Sequence, residues 1–229
     1  PALAAVNTGV SGINLADILR LRVNVGVAKR ALATSSLSFK LQYAKADDCP
    51  AAAVWYDVGG LAGAADWRGY NNTGVADGAA LATTTLAAST AAQSYEEENP
   101  SVYNPQAVAK GGWGEWDWVL YDHAASSSAG YCFRMVLADG TEFEAYESDG
   151  YPKATTAPAN TAPSAAANLG QYRSNGLTAI ANTAWVNERT VRLTGRATDV
   201  NINENLSLYF EFIKATSTFR TALTPPANP

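Results

Sequence analysis

The sequence predicts an antiparallel all-β chain, and three observations carry that reading. Apolar and polar residues alternate with period 2 in one segment after another, helical periodicity is scarce, and Asp139-Gly140 stands between two alternating runs. Asp-Gly tolerates the positive φ values that a two-residue turn requires, which makes it a strong hairpin signal.

The elements follow in chain order. Leu19, Leu21, Val23, Val25 and Val27 alternate with Arg20, Arg22, Asn24 and Gly26, giving a strand with one buried face. Leu37, Phe39, Leu41 and Tyr43 alternate with Ser38, Lys40, Gln42 and Ala44 in a second, and Val54, Tyr56 and Val58 make a short third. A long insertion over 87–114 contains Tyr95-Glu96-Glu97-Glu98-Asn99-Pro100 and Gly111-Gly112-Trp113-Gly114. Its aromatics Tyr95, Tyr103 and Trp113 predict a folded cap rather than a flexible tail. Next, Trp116, Trp118 and Leu120 alternate with Glu115, Asp117, Val119 and Tyr121, which puts Glu115 and Asp117 on the wet side of a sheet. Residues 131–137 and 141–146 flank the Asp-Gly turn as a hairpin.

From 151 to 168 the chain turns to Pro, Ala, Thr and Asn, a semi-rigid linker with a domain boundary near residue 160. Beyond it, Gln171-Tyr172-Arg173 starts a strand, and 190–198 alternates Val191, Leu193 and Gly195 with polar partners. Leu206, Leu208, Phe210 and Phe212 alternate in a further strand over 206–213, followed by a weak one over 217–223. Three or four strands fall short of the roughly seven that close a sandwich.

Composition bounds the function. The 229 residues allow one large domain or two modest ones, and only 16% are charged, against roughly 25% in ordinary globular proteins. With a net charge of -5 and no cluster of Lys and Arg, the chain lacks the means to displace counterions from a nucleic acid. No apolar run approaches the roughly 18 residues of a membrane span. One histidine, His123, and two cysteines exclude multi-imidazole metal sites and thiolate cages, and no phosphate-binding, dinucleotide or nucleophile-elbow motif stands in its required context. A structural or binding protein is expected rather than an enzyme. The chain starts at Pro1 without Met and reads as a trimmed, secreted product. Cys49 and Cys132 then predict one disulfide in an extracellular, cell-surface setting, with two free thiols as the alternative.

At this point the residues resemble a known family. Gly130-Tyr131-Cys132-Phe133-Arg134-Met135-Val136 before Asp139-Gly140-Thr141 resembles the closing F–G hairpin of fibronectin type III and immunoglobulin-like sandwiches. Residues 37–43 with Trp55-Tyr56-Asp57-Val58-Gly59 resemble their C strand, and the whole is similar to repeat units of bacterial extracellular surface proteins. Leu169-Gly170-Gln171-Tyr172-Arg173, Asn187-Glu188-Arg189-Thr190-Val191 and Ala197-Thr198-Asp199 resemble the opening half of another repeat. The resemblance implies an immunoglobulin-like β-sandwich over 13–150, then an incomplete immunoglobulin-like domain over 169–229. It carries no catalytic residues. It also implies a departure: the bridge would tie the C–C′ corner to the F strand instead of joining B to F.

An unfinished sandwich leaves backbone edges and apolar faces open, and something must cover them. The small, uncharged, β-capable stretch over 1–12, with Leu3, Ala5, Val6, Thr8 and Val10, is a candidate donor strand for another copy of the chain. Head-to-tail contacts that do not close build filaments, so a filament or pilus-like assembly in adhesion or biofilm is the expected function. The alternative for the open edges is that the chain is a fragment of a longer repeat protein. The rival function is a carbohydrate-binding module of a larger surface protein, with Trp67, Tyr70 and Trp113 stacking on a glycan.

Weaker patterns remain. Asp199, Asn201, Asn203 and Glu204 alternate like a Ca²⁺ loop but lack its Gly and final Glu, so an Asx-rich turn is favoured and no cofactor is expected. Glu96, Glu97 and Glu98, with Asp66 and Asp77, read as a solvated acidic run before a Ca²⁺ site. Glu115, Asp117 and Asp122 could pair as glycosidase carboxylates, against which stands their place on a strand. Asn71-Asn72-Thr73 and Asn205-Leu206-Ser207 match glycosylation sequons, and His123 is expected in an exposed turn.

Overall fold

The computed structural model describes residues 3–146, 150–182 and 184–200, with positions 206, 208 and 210. The chain divides into a first unit ending at Ala159 and a second beginning at Asn160. In the first unit the strands are β1 (Val10–Ile13), β2 (Ile18–Gly26), β3 (Phe39–Lys45), β4 (Tyr56–Asp57), β5 (Trp67–Gly69), β6 (Ala91–Glu96), β7 (Trp113–Asp122), β8 (Gly130–Leu137) and β9 (Lys153–Thr156). The second holds β10 (Ala167–Arg173) and β11 (Val191–Arg196), an antiparallel pair. The described residues contain no helix, and the all-β expectation stands.

Two sheets build the first unit. One runs β1-β9-β8-β3-β4; in the other, β7 is flanked by β2 on one side and by β5 and β6 on the other. Most ladders are antiparallel as expected, but β1 pairs with β9 in parallel, and so does β6 with β7. Parallel neighbours need long crossovers, and short-range periodicity does not reveal those. The sheets meet through aromatic rings: Phe39 of β3 stands edge-on to Trp116 of β7 at 4.7 Å, and Trp67 of β5 edge-on to Phe133 of β8 at 5.2 Å. Offset and edge-to-face contacts of this kind add to the area term of burial.

β3, β7 and β8 are buried on both faces because a further layer lies outside each sheet. Outside the first, Arg134 of β8 sits under Trp55, 4.3 Å from its ring, and bonds Gln42 and Glu142. Cys49 and Cys132 form a disulfide there, pinning the β3–β4 connection to β8. Closing a loop with a sequence separation of 83 contributes about 4.5 kcal/mol in the chain-entropy model.

Three expectations change. Asp139-Gly140 makes its turn, with Gly140 at φ 92° and Leu137 N–H donating to Thr141 O at 3.0 Å, but no strand follows over 141–146. Phe143 packs instead on the core, and the Tyr146 hydroxyl donates to Met135 O at 2.9 Å, so side chains replace a ladder. The expected linker over 151–168 contributes β9 to the middle of a sheet, a four-residue strand fitting between Pro152 and Pro158. Finally, Val10 to Ile13, at the end of the segment expected to move freely, are β1 and pair with β9 in the same chain. The expected strands over 206–213 and 217–223 lie outside the described residues, apart from three isolated positions.

Candidate functional site

The insertion is a folded layer, and it changes the setting of most of the polar residues singled out above. Glu115 and Asp117 are not on a wet face. Both are buried, because the loop before β6 and two arginines of β2 close over them. Arg22 reaches Glu115 at 2.6 Å and Asp117 at 2.9 Å, and Arg20 grips Asp117 with two nitrogens. Burial opposes ionisation of Glu115, but the Arg22 guanidinium and the N–H groups of Leu86 and Thr85 outweigh it and hold the carboxyl down to about 2. Glu115 binds the loop to the sheet through Thr85 and Leu86, Asp117 binds the two arginines of β2, and both carboxylates are buried away from solvent.

Glu96 and Glu97 likewise depart from a solvated run. Glu97 accepts from Asn72 N–H at 2.8 Å and donates its own N–H to Asp77 at 2.6 Å. Glu96 accepts from the Ser94 hydroxyl and, at 3.1 Å, from Val102 N–H, and burial pushes its carboxyl up to about 7. Among the described residues no three or more His, Cys, Asp or Glu side chains gather as a metal site. Asp199 is half-buried, while Asn201, Asn203, Glu204 and the sequon at Asn205 lie outside the described residues.

The expected sugar-stacking aromatics do not form a platform. Trp67 is 0% exposed in the core, Tyr70 stacks on Tyr121, and half-buried Trp113 lies against Gly26, where an added Cβ would come within 3.1 Å of its ring. His123 is half-buried and takes Asp66 O through its backbone N–H.

What remains open is an edge. Sheet edges invite pairing with other chains unless they are short, charged, bulged or covered. In the first unit β4 has two residues, and β1 has four with an irregularity between Ser11 and Ile13. The rest of the β3 side is covered by side chains of the crossover after β6. Asn99 accepts from Leu41 N–H at 2.8 Å and donates to Leu41 O at 2.8 Å and Val58 O at 2.9 Å. Ser101 exchanges bonds with the backbone of Phe39, and Asn104 with that of Leu37.

β2 divides into two halves. The first carries Arg20 and Arg22, whose side chains turn onto Asp117 and Glu115 of β7. The second, Val23-Asn24-Val25-Gly26, with Val27 just beyond it, carries no charge, and β7 is the only strand beside it among the described residues. Its Val23, Val25 and Val27 are only partly buried against the core. Beside them lies a groove of ≈ 740 Å³, lined opposite by Phe133, Met135, Phe143 and Tyr146. On its rim Lys29 pairs with Glu144 at 2.5 Å and Arg134 with Glu142 at 2.8 Å, while Arg30 adds a further positive charge. Of the expected donor residues, Leu3 and Val6 are 72% and 67% exposed, and Val10 packs on the core from β1. Sequence reasoning read β2 as an ordinary half-buried strand; the available signal was the loss of charge after Arg22. No known protein family, curated protein or solved structure matches this chain.

Proposed function

We propose that this chain is an extracellular structural subunit with immunoglobulin-like architecture that assembles with its own copies by strand addition, serving a cell-surface filament or adhesive layer. One observation carries the reading: a strand edge that is uncharged and unpaired among the described residues, beside an apolar groove, in a unit whose other edges are shortened, bulged or covered. Exposed backbone donors and acceptors next to an apolar trough match the needs of an extended peptide, which gains main-chain bonds from the edge and specificity from the trough. The disulfide and the low charge support an extracellular setting.

Light scattering and electron microscopy of the purified chain over a range of concentrations test this. Concentration-dependent growth into linear assemblies is expected. A folded monomer at every concentration overturns it. The rival reading, a carbohydrate-binding module, has less behind it, with Trp67 in the core and Tyr70 stacked on Tyr121, and keeps half-buried Trp113; a glycan array tests it independently.

A further inference from the structure

We propose that the groove along β2 accepts the segment Leu3–Gly9 of a second copy, laid as an added strand against the backbone of Arg22, Asn24 and Gly26. This rests on the assembly reading above and names its donor and acceptor.

The parity of the ladder identifies the acceptor groups. At one end of β2, Val27 N–H donates to Gly112 O at 3.0 Å, and at the other Asp122 N–H donates to Asp17 O at 3.0 Å. The register between those ends is regular, so odd-numbered residues of β2 bond β7. In an antiparallel ladder the alternate residues then turn their N–H and C=O outward. In the uncharged half those are Asn24 and Gly26, with Arg22 beside them.

Three features select the donor. The first is length: the edge from Arg22 to Gly26 spans roughly 17 Å, and seven extended residues cover about 23 Å. The second is charge. Leu3-Ala4-Ala5-Val6-Asn7-Thr8-Gly9 has none, so laying it along a rim where Lys29 pairs with Glu144 and Arg134 with Glu142 brings no further charge into the groove, and exposed Arg30 keeps its contact with water. The third is phase: Val10 faces the core from β1, so in an extended continuation Ala4, Val6 and Thr8 share its face, with Val6 as the apolar anchor.

The segment does not continue β1 in this chain. Thr8 N–H closes a turn on Ala5 O at 3.1 Å, Asn7 stands at φ 56°, and Val6 is left exposed. Among the described residues, donor and acceptor are thus both left without a strand partner in one molecule. Exchange between copies satisfies both, and because donor and acceptor are different surfaces the contact propagates head to tail.

The test is photo-crosslinking from a benzoylphenylalanine at position 6 in an equimolar mixture of ¹⁵N-labelled and unlabelled full-length chains, read by mass spectrometry. Mixed-isotope links to 22–27, 133–135 or 143 are expected. Val6→Asp, at an exposed site that leaves the fold intact, should weaken association at least about tenfold. Asn24→Pro removes one outward N–H without touching the β7 ladder and should abolish the links. Links confined to one isotope overturn the proposal by showing closure within the chain. Association that survives deletion of residues 3–9 overturns the donor but leaves the assembly reading intact. A full-length chain that never associates brings down both.

Discussion

The two sides of the first unit treat the same problem differently. On the β3 side, the backbone that β4 leaves unpaired is bonded by Asn99, Ser101 and Asn104. On the β2 side, the Arg20 and Arg22 side chains turn inward onto Asp117 and Glu115, and nothing among the described residues pairs with the outer edge of the second half. One edge is therefore tied into the fold by side chains, while the other has no such ties among the described residues and is the acceptor of the proposed assembly.

Perturbing the closed side should cost the most. Replacing Cys49 and Cys132 by Ser releases the β3–β4 connection from β8, with an expected loss of about 4.5 kcal/mol in urea unfolding. Asn99→Ala leaves Leu41 and Val58 without their partners and should cost about 3 kcal/mol. Asn24→Ala on the open edge should change stability by less than about 0.5 kcal/mol. Comparable losses for the two asparagines would erase the distinction between the edges.

Acid separates the two halves of β2. Glu115 has a folded pKa of about 2, below its ordinary 4.5, so its contribution is present above pH 4.5 and is lost as pH falls toward 2. Unfolding free energies of wild type and Glu115→Gln, from urea titrations, should therefore converge near pH 2 and separate by about 2 kcal/mol at neutral pH. Glu96 runs the other way. With its folded pKa raised from 4.5 to about 7, the native state binds the extra proton, and stability declines as pH rises through that window. Glu96→Gln should be neutral at pH 4 and stabilise by about 3 kcal/mol at pH 8. Stabilisation at pH 4 as well would mean that the carboxyl's ionisation is not the cause.

The legible parts of the fold were those set by local alternation. β2, β3, β7 and β8 follow from Val, Leu, Phe and Trp at every second position, because a pleated strand packed on a core sorts residues that way. Which side of β7 is wet was not legible. Period 2 assigns Glu115 and Asp117 to a face, but only the loop around Thr85, together with Arg20 and Arg22, decides that this face is covered. Trp67 was misplaced because its three-residue strand is too short to show alternation. β9 was hidden by the prolines on either side of it. The proposed donor segment shows in the sequence as an uncharged, β-capable stretch, but the sequence reading places its acceptor in a second domain that it expects to be incomplete. The open edge in the first unit depends on which strands lack neighbours, and no local pattern contains that information.

Amide hydrogen exchange along β2, measured residue by residue in dilute and concentrated samples, tests the open edge most directly. In dilute solution the amides of Val23 and Val25 should be protected by β7 while those of Asn24 and Gly26 exchange freely. On concentration Asn24 and Gly26 should gain protection, and deleting residues 3–9 should remove the gain. Protection of Asn24 and Gly26 already in the dilute monomer, or its absence in an assembled sample, would contradict the account.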